Sequence, residues 1–182
     1  MAVNRIHIVG AAGSGTTTLG GELSERLGCV QFDTDNYFWV PSYPPFQEAR
    51  PIPKRQKMLM EDLRGSGRWV LSGSLCGWGD EAIDLFDLVV FIYIPTDMRL
   101  RRLKARELRR YGAENLGPGG IMHEESKAFM EWAAGYDSGG MDTRSLMLHE
   151  SWLEGLPCPV MRLKGEGTVQ EWADEVLQGV SR

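Results

Sequence analysis

Short apolar runs alternate along this chain with stretches of helical periodicity. Residues 6–9, 29–32, 69–71, 88–94 and 160–163 read as strands. Between the first two, Leu19, Leu23 and Leu27 recur at i, i+4, i+8, one face of a helix; near the end, Trp172, Val176 and Val180 repeat that spacing behind a capping box, Thr168-Val169-Gln170-Glu171. The fourth run is apolar without alternation, the pattern of a strand covered on both faces. Strands alternating with helices predict an α/β fold: a doubly wound, five-stranded parallel sheet in three α/β/α layers, with its site at the carboxyl ends of the strands.

Two intervals do not fit a minimal alternating unit. Residues from about 36 to 68 are rich in aromatics and proline, and a long stretch ending near 154 carries the pairs Gly119-Gly120 and Gly139-Gly140. Double glycines punctuate plain turns or hinge a moving segment. The length, 182 residues, suits one domain with a substantial core. A net charge of −5 argues against a general nucleic-acid binder. Cys29, Cys76 and Cys158 are odd in number and widely spaced, and form no C-x-x-C pair, so they read as reduced, mostly buried thiols. No apolar run approaches membrane-spanning length, and the expectation is a cytoplasmic protein with no membrane partner. Oligomeric state leaves no trace in the sequence.

Chemistry enters at Gly10-Ala11-Ala12-Gly13-Ser14-Gly15-Thr16-Thr17, which has the spacing G-x-x-x-x-G-K-[ST] of a phosphate-binding loop except that Thr16 stands at the lysine position. A strand pattern precedes it and a helix pattern follows. Glycines let backbone N–H groups wrap a phosphate chain, the helix N-terminus favours the anion, and the Thr17 hydroxyl suits Mg²⁺. Residues 10–17 together with Thr18 are the predicted ATP contacts. At position 16 a hydroxyl replaces a full positive charge, so other groups must supply it, or the chain binds nucleotide without fast chemistry. Arginine outnumbers lysine fifteen to five, and six arginines fall between positions 99 and 110. Arg99, Arg102, Arg106 and Arg110 are spaced as one helical stripe, either a solvated face or a phosphate clamp.

With this loop, Phe32-Asp33-Thr34-Asp35 after the second strand and Arg102-Leu103-Lys104-Ala105-Arg106 after the fourth, the chain resembles the adenylate-kinase-like P-loop kinases, and its D-x-D looks most like that of shikimate kinase. The resemblance implies an acceptor-binding segment at about 36–68 and an Arg-bearing lid region at about 99–154. It implies Arg102 and Arg106, with Arg144 further on, as neutralisers of the transferring phosphoryl group. The 163–167 turn falls where an adenine-contacting loop lies in that family.

Asp33 and Asp35 share one face if the strand continues; one would serve Mg²⁺ and the other would accept the proton of an attacking hydroxyl. The alternative is an Asx turn or helix cap. Arg50 is a candidate for an acceptor phosphate or carboxylate, and Gly73 for close backbone approach to the acceptor, unless it marks only a tight turn. Phe129, Trp132, Ala133 and Tyr136 read as a packing stripe, and His123 with Glu124 and Glu125 as exposed turn residues. The expected function is Mg·ATP-dependent phosphotransfer to a small acceptor, a nucleoside monophosphate or a hydroxyl-bearing metabolite. The alternatives are a nucleotide-binding regulatory or scaffold protein and a slow ATPase.

Overall fold

Each of the five apolar runs forms a strand in the computed structural model, which describes residues 3–180. Strands β1 (Arg5–Gly10), β2 (Val30–Asp33), β3 (Trp69–Ser72), β4 (Leu88–Tyr93) and β5 (Val160–Lys164) make one sheet in the order β2-β3-β1-β4-β5. All four pairings are parallel. From β1 the chain runs to the edge strand β2 and back to β3 on one side, then crosses β1 to β4 and β5 on the other. That reversal opens a crevice at the carboxyl ends of the central strands.

Side-chain alternation along the strands builds two cores. Ile6 and Ile8 of β1, Val70 of β3, and Val90 and Ile92 of β4 face helices α1 (Thr16–Leu27) and α7 (Val169–Val180), meeting Leu19, Leu23, Trp172 and Val176. Val9, Trp69, Leu71, Val89 and Phe91 face the other way, toward α3 (Ile52–Gly65) and α6 (Leu146–Glu154). Both faces of β4 are buried, which accounts for its apolar run. The capping box before α7 forms: Thr168 Oγ1 accepts from Glu171 N at 3.2 Å and Glu171 Oε2 accepts from Thr168 N at 2.8 Å.

The first irregular interval holds the short helix α2 (Thr34–Phe38), a loop closed by an antiparallel bridge between Trp39 and Ala49, and α3. The second holds α4 (Thr96–Leu116), whose helical run is interrupted at Gly112, then α5 (His123–Ala134) and α6. His123 begins α5, half buried, with Nδ1 2.8 Å from Leu116 O. Cys29, Cys76 and Cys158 are unpaired and half buried. No helix among the described residues is long and apolar enough to cross a membrane.

Candidate functional site

The loop joining β1 to α1 wraps the switch point. Gly13 has φ 82°, and a Cβ there would lie 2.9 Å from both Arg99 O and Leu103 Cγ, so only glycine lets the loop rest on α4. Helix α1 has no side-chain cap, which leaves the donors of its first turn to an anion. Ser14 Oγ is buried within the loop without a partner. These features suit a phosphate chain, and Thr17 and Thr18 are exposed at the helix start.

Asp33 ties three elements together. Its Oδ2 accepts from Thr17 Oγ1 at 2.8 Å and from Ser72 Oγ at 3.0 Å, while its Oδ1 accepts from Asp35 N at 3.0 Å. The strand does not continue to Asp35, contrary to the one-face expectation: Asp33 is the N-cap of α2 and Asp35 lies in its first turn, because the cap bond bends the chain into the helix. The carboxylates stay neighbours all the same. Among the described residues no group of three or more His, Cys, Asp or Glu is arranged for a metal. A Mg²⁺ ion would therefore rest on Thr17, with Asp33 behind it, and on the oxygens of its nucleotide.

Asp35 opens onto a cleft of about 440 Å³ whose lining also includes Ser74, Trp78, Trp132 and Arg144. Loss of hydration raises its pKa above the ordinary carboxylate value, and the neighbouring Asp33 raises it further; Arg144, Arg106 and Arg110 pull the other way. Arg144 lines the cleft and also reaches the glycine loop. Its guanidinium donates to Gly10 O, the first residue of the loop, at 3.1 Å, while its buried Nε has no partner. Burial lowers its pKa, and Asp35 leads the groups that favour its charge. Arg106 Nε is also buried without a hydrogen bond, with Glu107 Oε1 at 3.9 Å, and its guanidinium feels Asp35.

Other predicted residues lie elsewhere. Arg102 is exposed and does not line the cleft. Arg99 is no part of a solvated stripe: it is fully buried, donating to Ile94 O, Ala12 O and Ala133 O and so fastening the loop to α4 and α5. Leu103 is buried on that same side, so the inward face mixes apolar and basic residues. Arg50 turns inward as well, giving hydrogen bonds to Asn36 O at 2.9 Å and Tyr37 O at 2.7 Å at the end of α2. Gly73, with φ 109°, makes room for Thr34, whose Oγ1 a Cβ would strike; its close approach is to the first residue of α2, which lines the cleft, while Gly73 itself does not.

Several cleft residues carry no sequence signal of a site. Trp132, in the stripe read as packing, is 40% exposed and lines the cleft, whereas Ala133 and Tyr136 are indeed buried. Ser74 Oγ lies 3.0 Å from Nε2 of buried His149, and the Tyr136 hydroxyl lies 2.7 Å from its Nδ1. Burial, then Arg144 and His7, pull His149 down to about 3. His7, buried in β1 with Nδ1 3.1 Å from Leu71 O, is pulled down to about 4 by burial.

Both rings are thus neutral when folded, while the unfolded chain protonates them near the ordinary 6.5. Their contribution to stability is complete at neutral pH and lost as pH falls, by about 2 kcal/mol per ring at pH 5. Asp35, with its raised value, offsets part of this. Thermal melts should show Tm falling by about 10 °C between pH 7.5 and pH 5. A flat Tm across that window would mean that the rings protonate without unfolding.

The AAA domain family matches residues 6–119. The chain is 50% identical over 176 residues to the uncharacterized protein YqaC of Bacillus subtilis, covering 97% of each. Its fold is similar to shikimate kinase from Bacteroides thetaiotaomicron (TM-score 0.62, 17% identity, all of both chains). It is also similar to shikimate kinase from Acinetobacter baumannii in complex with shikimate (TM-score 0.55, 19% identity, 98% of this chain and 93% of that one). The sheet order and the flanking helices are those of a P-loop kinase fold.

Proposed function

The chain belongs to the AAA domain family and has a P-loop kinase fold, and from that premise we propose that it is a Mg·ATP-dependent phosphotransferase acting on a small acceptor. The loop from Gly10 to Thr17 binds the β- and γ-phosphates of ATP, with Thr17 and Asp33 serving the metal side. When bound, Mg²⁺ neutralises charge on those phosphates. Asp35 accepts the proton of the acceptor hydroxyl as its oxygen bonds to the γ-phosphorus. The bond from that phosphorus to the bridging oxygen breaks, and ADP leaves with the electron pair. Arg144, helped by Arg106, stabilises the charge on the transferring group. A cytoplasmic setting belongs to the same reading.

One observation carries this proposal: a half-buried guanidinium whose buried Nε has no hydrogen-bond partner reaches the phosphate loop and feels Asp35, in a loop whose own position 16 is uncharged. Buried cations without a full set of partners are costly, and an anionic phosphoryl group would complete this one. ADP release should be measured with and without candidate acceptors, alongside ATP binding. Stimulation by one acceptor class is the expected result. ATP binding with only trace, acceptor-independent ADP formation would favour a nucleotide-binding regulatory protein, the reading that the threonine at position 16 supports.

A further inference from the structure

Four aromatic side chains line the cleft beside Asp35. Phe38 and Trp39 come from the end of α2 and the residue after it, Trp78 from the turn after β3, and Trp132 from α5. Three separate segments thus converge on one space of about 440 Å³, within the range of small-molecule sites. Rings gathered this way offer flat faces to a flat guest.

The charges lining the cleft exclude other guests. Asp35 and Asp142 are the acidic groups there and Arg144 the basic one. Of that lining cation, one nitrogen already donates to Gly10 O and the remaining donor is the one assigned to the transferring phosphoryl group, so a second anionic group on the acceptor finds no uncommitted cation in the lining. Cations fare no better, since the protein's own guanidinium groups already lie over these rings. Arg55 stands 3.7 Å from the Phe38 centroid and 5.8 Å from that of Trp78, and Arg144 stands 5.6 Å from that of Trp132.

Ser74 supplies a polar contact for the edge of such a guest. Its Oγ lies 3.0 Å from His149 Nε2, and the Tyr136 hydroxyl, 2.7 Å from Nδ1, fixes the other side of that ring.

Resting on the phosphotransferase reading, we infer that the acceptor is an uncharged aromatic alcohol, a nucleoside or a hydroxymethyl heteroarene, seated between Trp39, Trp78 and Trp132 with its hydroxyl at Asp35. Transfer joins that hydroxyl oxygen to the γ-phosphorus of ATP, releases ADP, and sends the hydroxyl proton through Asp35 to solvent.

The test pairs ADP release with a direct readout, quenching of tryptophan fluorescence in the absence of ATP. The probes are adenosine, cytidine, thymidine and pyridoxine, set against AMP, CMP, shikimate, glucose and choline. At least one neutral aromatic alcohol should quench fluorescence and raise ADP release about tenfold over the no-acceptor rate. Its 5′-phosphate or a non-aromatic probe should bind about tenfold more weakly. Trp132→Ala should raise KM for that probe about tenfold with kcat changed less than about threefold, and Trp132→Phe should restore most of it.

If shikimate, glucose, choline or the monophosphates stimulate while the neutral aromatics do not, the inference falls and the phosphotransferase reading stands. Quenching by a neutral aromatic alcohol without ADP release supports the ligand class and removes the transferase reading. The absence of both quenching and stimulation across all the neutral aromatic alcohols overturns the inference.

Discussion

Arg144→Gln is expected to lower turnover by about a thousandfold while weakening ATP binding by less than about tenfold. The asymmetry follows from where the guanidinium sits. It contacts the loop through Gly10 O, at the loop's beginning, whereas the phosphate donors are backbone groups that the substitution leaves in place. Its free Nε and its charge matter most when negative charge moves onto the transferring group and the leaving oxygen. Arg144→Lys should recover part of the loss, because a point charge remains but the planar fork is gone. The check is kcat and KM for the stimulating acceptor, with nucleotide affinity measured separately. Turnover within about threefold of the parent would remove Arg144 from the chemistry and leave the loop without a cation of known source.

The second large effect concerns the base. Asp35→Asn should reduce turnover by about a thousand- to ten-thousandfold with ATP affinity unchanged, since the amide keeps the shape but cannot take a proton. The parent's pH dependence carries the same information. A base must be deprotonated to act, so activity is full above the Asp35 pKa and is lost as pH falls through it. Because lost hydration and the adjacent Asp33 raise that pKa, the acid limb should lie above the ordinary carboxylate range. In Asp35→Asn the residual rate should lose this limb. A limb that survives the substitution would assign it to another group.

Much of the fold was readable because local patterns carried it. The apolar runs became strands within a residue or two, and the Thr168 capping box formed as its spacing implied. The glycine spacing also marked the loop correctly. Failures came where long-range packing overrode a local pattern. Helical spacing grouped Arg99 with Arg102 and Arg106, yet Arg99 is drawn inward by three backbone carbonyls that no window of sequence reveals. Arg50 suited an anion by type, but the end of α2 needed a donor for its carbonyls and claimed it.

The cleft was harder still, since it exists only after distant segments meet. Ser74 and His149 are 75 residues apart, and Trp132 sits in a stripe whose other members do pack. Asp33 and Asp35 were identified as a pair, but their geometry is that of a helix start, because a short side chain able to bond the second N–H onward bends the chain there.

The separation of Arg144 from the loop it touches, 134 residues along the chain, also orders events during synthesis. A ribosome delivers the glycine loop early and its guanidinium late, so the nascent protein carries an uncharged cradle until most of the polypeptide has emerged. A loop lysine would have provided the charge from the outset. In this chain the loop and the guanidinium that touches it can meet only after 134 further residues have been made.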